Sequence, residues 1–142
     1  MLGHHTSIRT ADIHRAIAFY EVLGFEVKER FTTGYTLACW LQGTAGRIEL
    51  IQIPEPHPPP DAFGDPHYVG YYHLSFDLTE ALGAGEDLAT WIASLKQKML
   101  VAGIALQVLL PPCEQVICDR TYEVTFLADT DGLPLEFLRE LH

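Results

Sequence analysis

His5-Thr6-Ser7-Ile8-Arg9-Thr10 near the start of the chain and Tyr71-Tyr72-His73-Leu74-Ser75-Phe76-Asp77 at its middle are two versions of one phrase. In each, alternation across a strand puts the His on the same face as the Ser two residues on, with Arg9 or Asp77 following, and turns Ile8, or Leu74 and Phe76, the other way. The two phrases also lead into similar helices. After the first, Asp12 is placed to cap a helix whose stripe is Ile13, Ala16, Ile17, Tyr20 and Leu23, and Gly24 is placed to end it. After the second, Leu88, Trp91, Ile92, Leu95 and Met99 recur at helical spacing as far as Gly103.

Three strand-like runs come after each helix. In the first half they are 25–31, 35–42 and 47–53, separated by Thr32-Thr33-Gly34 and Gly43-Thr44-Ala45-Gly46; in the second they are 104–110, 122–128 and 133–138. Asp129-Thr130-Asp131-Gly132 supplies a tight connection before the last run. The chain therefore reads as a βαβββ unit written twice, an α+β pattern, with the extra length of the second copy assigned to loops at 79–85 and 111–120. Module 1 covers about 1–54 and module 2 about 68–142, within one domain over 1–142. Six prolines between Pro54 and Pro66 bar a central strand there and mark the 54–67 segment as the link between modules, with a lid as the alternative use.

Composition excludes several classes of function. With 142 residues and 48% hydrophobic content the chain can bury a core, and no apolar run is long enough to span a bilayer. Nine Lys and Arg against a net charge of −10 disfavour nucleic acid and anionic membrane as partners. Cys39, Cys113 and Cys118 are odd in number and irregular in spacing, which fits a reducing compartment better than a disulfide framework; with no leader pattern at Met1, a cytoplasmic protein is expected.

The last strand of each unit carries a lone carboxylate in an apolar run, Glu49 between Ile48 and Leu50 and Glu136 between Leu135 and Phe137. Such a carboxylate calls for a partner. His5, Glu49, His73 and Glu136, two on the outer strands of each repeated unit, make a ligand set suited to one divalent ion of Zn, Ni, Co, Fe or Mn. His4 is the rival of His5, but alternation sends it to the other face; His14, His57, His67 and His142 read as surface groups.

These residues together resemble the vicinal oxygen chelate superfamily (glyoxalase, bleomycin resistance and dioxygenase proteins), and most closely its glyoxalase I type. The landmarks are His5-Thr6-Ser7-Ile8-Arg9, Ala16-Ile17-Ala18-Phe19-Tyr20 with Leu23-Gly24-Phe25, Ile48-Glu49-Leu50, His73-Leu74-Ser75-Phe76, and Asp131-Gly132 leading to Leu135-Glu136-Phe137. The resemblance implies two βαβββ modules forming an open, cupped eight-stranded mixed sheet with helices outside, in a homodimer. It implies His5, Glu49, His73 and Glu136 as metal ligands, Glu136 as the catalytic base, and Arg9 as a substrate-binding residue at a position that holds a glutathione carboxylate.

The activity so implied is that of a lyase or isomerase acting on a small, vicinally oxygenated substrate such as the methylglyoxal–glutathione hemithioacetal. The metal would act as Lewis acid to an enediolate while a carboxylate moves the proton. Related chemistries are acyl-CoA epimerisation, where Gln usually replaces Glu49, and extradiol oxygenation, where Glu49 has no counterpart; a binding protein of the bleomycin-resistance type is the non-catalytic alternative. The chain departs from glyoxalase I at Ile53, where an Asn is usual, and at Pro111-Pro112-Cys113-Glu114-Gln115, which replaces a Lys- and Gly-containing loop.

Overall fold

Asp12 is extended, and its carboxylate accepts a hydrogen bond from the Arg15 amide, so the first helix begins where its cap dictates, in a computed structural model that describes residues 1–142. This helix, α1 (Ile13–Val22), buries Ile13, Ala16, Ile17, Phe19 and Tyr20. Gly24 leaves it with φ 102°, a conformation that an L side chain would resist. The strands of the first unit are β1 (Thr6–Thr10), β2 (Glu26–Thr33), β3 (Thr36–Gly43) and β4 (Gly46–Gln52). They form one sheet in the order β1-β4-β3-β2, parallel between β1 and β4 and antiparallel elsewhere. Cys39, Leu41, Ile48 and Leu50 alternate along β3 and β4 and are buried, which gives the apolar stripe of α1 its floor.

The second unit repeats this plan. It contains β5 (Leu74–Asp77), the single turn α2 (Thr79–Leu82), α3 (Leu88–Val101), β6 (Gln107–Ile117), β7 (Arg120–Ala128) and β8 (Pro134–Leu141). The sheet order is β5-β8-β7-β6, again with one parallel pair, β5 with β8. Asp87 caps α3 through the Thr90 amide, and Leu88, Ile92, Leu95 and Met99 are its buried stripe. Glu123 of β7 accepts from the Leu88 amide at 3.2 Å and from Arg139 Nε at 2.7 Å, tying the start of α3 to the sheet.

The α+β class and the duplicated βαβββ order are as the sequence implies, with the eight strands divided between two four-stranded sheets. The chain separates into two compact units, Met1–Pro58 and Pro59–His142. No strand forms in the Pro-rich segment; Phe63 from it lies 5.3 Å from the ring of Phe126 in β7, so its later part belongs to the second unit.

Two expectations fail in the second unit. The loop expected at 111–120 is mostly strand, because β6 is the outermost strand of its sheet, where Pro111 and Pro112 cost no ladder hydrogen bond that a neighbour needs. The prolines sit where the β6–β7 register shifts between Leu110 and Cys113, and the buried Thr125 hydroxyl donates to the freed Leu110 carbonyl at 2.7 Å. The loop expected at 79–85 contains α2, whose first residue Thr79 is held by Asp77 through both its amide and its hydroxyl. No helix is long and apolar enough to cross a membrane.

Candidate metal centre

Parallel pairing of the outer strand with the last strand places Ser7 beside Glu49 in the first unit and Ser75 beside Glu136 in the second. Ser7 Oγ donates to Glu49 Oε1 at 2.8 Å, and Ser75 Oγ donates to Glu136 Oε2 at 2.5 Å. The His that precedes each strand then turns its Nε2 toward the same carboxylate oxygen, at 3.5 Å for His5 and Glu49 and 3.4 Å for His73 and Glu136. The two pairs are similarly open to solvent, the imidazoles at 28% and 23% and the carboxylates at 13% and 14% of their free surface. Each stays accessible to a ligand.

These nitrogen–oxygen separations exceed the roughly 2.7–3.2 Å of an N–H···O hydrogen bond. They are close to the spacing of two ligand atoms on one metal, since donors about 2.1 Å from an ion in tetrahedral geometry lie about 3.4 Å from each other. The donor chemistry, one imidazole nitrogen and one carboxylate oxygen per unit, also fits a borderline divalent ion. His73 Nδ1 is buried without a hydrogen-bond partner, so Nε2 is the ring atom left for a ligand. No group of three or more His, Cys, Asp or Glu side chains that could hold a metal forms in the structure; each unit brings together its own two.

The first pair sits in a polar surround. Trp40 of β3 is directly across from Glu49, and its indole Nε1 donates to Glu49 Oε2 at 2.8 Å, so both carboxylate oxygens are held. That hydrogen bond above all, then the Ser7 hydroxyl and the neighbouring His5 and His4, keeps the Glu49 carboxyl below the usual carboxylate range, against the opposing effect of desolvation. The Arg47 guanidinium lies over the Trp40 ring at 5.4 Å, and its Nη1 is 2.7 Å from His4 Nε2. Arginine can only donate, so His4 Nε2 accepts and the His4 Nδ1 proton faces His5 Nδ1, 2.8 Å away; His5 then carries its own proton on Nε2, and binding a metal there would require this contact to break and the proton to move to Nδ1.

His4 is therefore on the Trp40 side, its ring 5.1 Å from the indole, and the alternation that sent it to the opposite face does not apply. The ladder starts only at Thr6, so neither His4 nor His5 is yet bound by strand parity. Arg9 is exposed on β1, across from Ile51 and two residues beyond Ser7. His14, His57, His67 and His142 are exposed.

The second pair sits among rings. Phe126 of β7 is directly across from Glu136, the place that Trp40 takes beside Glu49. The His73 ring meets Phe126 edge-on at 4.9 Å, while Tyr72 stacks on Phe126 at 5.9 Å. The place of Trp40 is legible in the sequence: a tight hairpin closing at Gly43 and Gly46 puts residue 40 across from residue 49 by counting back along both strands.

Residues 3–137 match the family model of the Glyoxalase/Bleomycin resistance protein/Dioxygenase superfamily. The chain belongs to this superfamily. Solved structures of this superfamily share its fold across nearly the whole chain. A glyoxalase family protein from Enterococcus faecalis is 24% identical, with 97% of each chain covered and a TM-score of 0.65. A glyoxylase/bleomycin resistance protein/dioxygenase domain from Frankia sp. EAN1pec is 20% identical, covering 100% of this chain and 93% of that one, with a TM-score of 0.66. A glyoxalase family protein from Bacillus cereus, 17% identical, covers 99% and 94% with a TM-score of 0.65. None of the curated proteins matches the chain. The matched residues include the His–Glu pair of each unit.

Proposed function

We propose that this superfamily member is a divalent-metal lyase or isomerase of the glyoxalase I type, working as a homodimer in the cytoplasm on a small substrate with oxygens on adjacent carbons. The observation that carries the reading is the repeated His–Ser–Glu arrangement, with a serine-held carboxylate and a histidine Nε2 at metal-ligand spacing in each unit. A carboxylate in both units favours this type over epimerases and oxygenases, which the resemblance associates with Gln or no ligand at the Glu49 position.

His5, Glu49, His73 and Glu136 are the residues that would hold the metal. Once bound, the metal supplies Lewis acidity to the vicinal oxygens of the substrate, making the adjacent C–H more acidic. Glu136 removes that proton and returns it to the neighbouring carbon; its Oε2 is oriented by Ser75 and its Oε1 is left to turn. Phe126, Tyr72 and His73 line its surroundings with rings. Arg9 binds a carboxylate of the substrate.

The test is to load the protein with Ni²⁺ and, separately, Zn²⁺, and to follow thioester formation from the methylglyoxal–glutathione hemithioacetal. Turnover should fall by about 10²–10⁴-fold in Glu136→Gln. Activity in the loaded wild type no higher than in that variant overturns the proposal.

A further inference from the structure

The two units share the His–Ser–Glu arrangement, and they differ at the residue directly across the sheet from the glutamate, Trp40 in one and Phe126 in the other. We infer that Trp40 is a positioning residue that divides the work between the two carboxylates: it fixes Glu49 as a stationary acceptor, while Phe126 at the matching place leaves Glu136 free to turn. The inference rests on the proposed function for the roles of the two glutamates, and on the structure for the difference between them.

Both oxygens of Glu49 are engaged, Oε1 by Ser7 at 2.8 Å and Oε2 by the Trp40 indole at 2.8 Å, so rotating the carboxylate means giving up two hydrogen bonds at once. The indole itself has little freedom. Arg47 covers one face at 5.4 Å, with Phe31 at 5.3 Å and His4 at 5.1 Å meeting it edge-on, and these contacts aim its N–H at Oε2. Each carboxylate oxygen has two lone pairs, so Oε1 keeps one for a further ligand after Ser7 is satisfied.

Glu136 has a hydrogen bond only at Oε2, from Ser75. Phe126 has no donor to offer, and it is itself held by Phe63, Tyr72 and His73, so no polar group takes the indole's place. Both glutamates would hold the metal, but the one that also transfers a proton must change its partner during turnover, whereas the other need not. The carboxylate held at one oxygen suits the first task and the one held at both suits the second.

The hydrogen bond is read on metal-free protein from the two indole N–H signals in a ¹H–¹⁵N spectrum. The Trp40 signal should lie downfield of the Trp91 signal, and Glu49→Ala should move it upfield and speed its exchange with water. An unmoved signal overturns the inference even if the enzyme proves active. The division of work is read from Trp40→Phe, which should weaken Zn²⁺ binding measured by calorimetry about 10- to 100-fold while the melting curve stays cooperative.

In the Trp40→Phe background, Glu136→Gln should keep at least about tenfold more hemithioacetal activity, at saturating metal, than Glu136→Gln alone, because the released Glu49 can then carry the proton. Equal Zn²⁺ affinity in wild type and Trp40→Phe, or equal loss on Glu136→Gln in both backgrounds, overturns it. Wild-type protein that takes up no metal overturns the proposed function and the ligand role of Glu49 together, while the indole spectrum still decides whether the carboxylate is held.

Discussion

Each unit gives its glutamate a serine hydroxyl and a nearby imidazole; the first adds an indole N–H, backed by Arg47 and His4, and the second adds only the rings of Phe126 and Tyr72. The backbone does not produce this difference, since parallel pairing of the outer and last strands delivers Ser beside Glu in the same register in both units. The donor that separates the two carboxylates comes from the third strand, where one unit has Trp40 and the other Phe126. A duplicated scaffold supplies equivalent positions, and one aromatic side chain with or without a donor makes them unequal.

The sharpest way to probe this inequality is to remove the serine that both sites share. Ser75→Ala takes from Glu136 its one hydrogen bond and should lower turnover about tenfold or more, since a hydrogen bond to a charged group is worth about 1.5–3 kcal/mol. Ser7→Ala leaves Glu49 still held by Trp40, so it should lower turnover by no more than about threefold. Equal losses in a kinetic comparison of the two variants would break the distinction between the half-sites.

The sheets themselves differ in the way that they accommodate irregular pairing. The second relies on the buried Thr125 hydroxyl to satisfy Leu110 at its register shift, so Thr125→Val should cost about 1–2 kcal/mol in a urea titration, with the fold retained. A variant as stable as wild type would mean that the Leu110 carbonyl finds another donor.

The smallest effect concerns acid. The Glu49 carboxyl is held below its usual range, chiefly by Trp40, so its contribution to stability is fully present above the unfolded value of about 4.3 and is lost as pH falls through the lower folded value. Trp40→Phe should therefore be less stable than wild type at neutral pH by a margin that shrinks below about pH 4. A margin that stays constant with pH would assign the loss to packing of the indole instead of to its hydrogen bond.

Much of the fold was legible in the order of residues. The stripes of α1 and α3, their Asp caps and the turn glycines are local signals, and local signals need no knowledge of the rest of the chain. His5, Glu49, His73 and Glu136 stand out because a repeat places them at matching points, and within each unit the structure brings one His and one Glu together, at 3.5 Å and 3.4 Å. Where expectation and structure part, a non-local fact is missing from the sequence. Pro111 and Pro112 look like loop until β6 is known to be an edge strand, and His4 looks misdirected until the ladder is known to start at Thr6.

By itself, then, the sequence determined the duplicated α+β plan and the residue types of the candidate ligands, because periodicity, capping and repetition are written in consecutive residues. Only the tertiary structure decided which outer-strand serine stands beside each glutamate and which hydrogen bonds hold it. Ser7 and Ser75 reach Glu49 and Glu136 through parallel pairing between segments 42 and 61 residues apart, and those hydrogen bonds exist only once that pairing has formed.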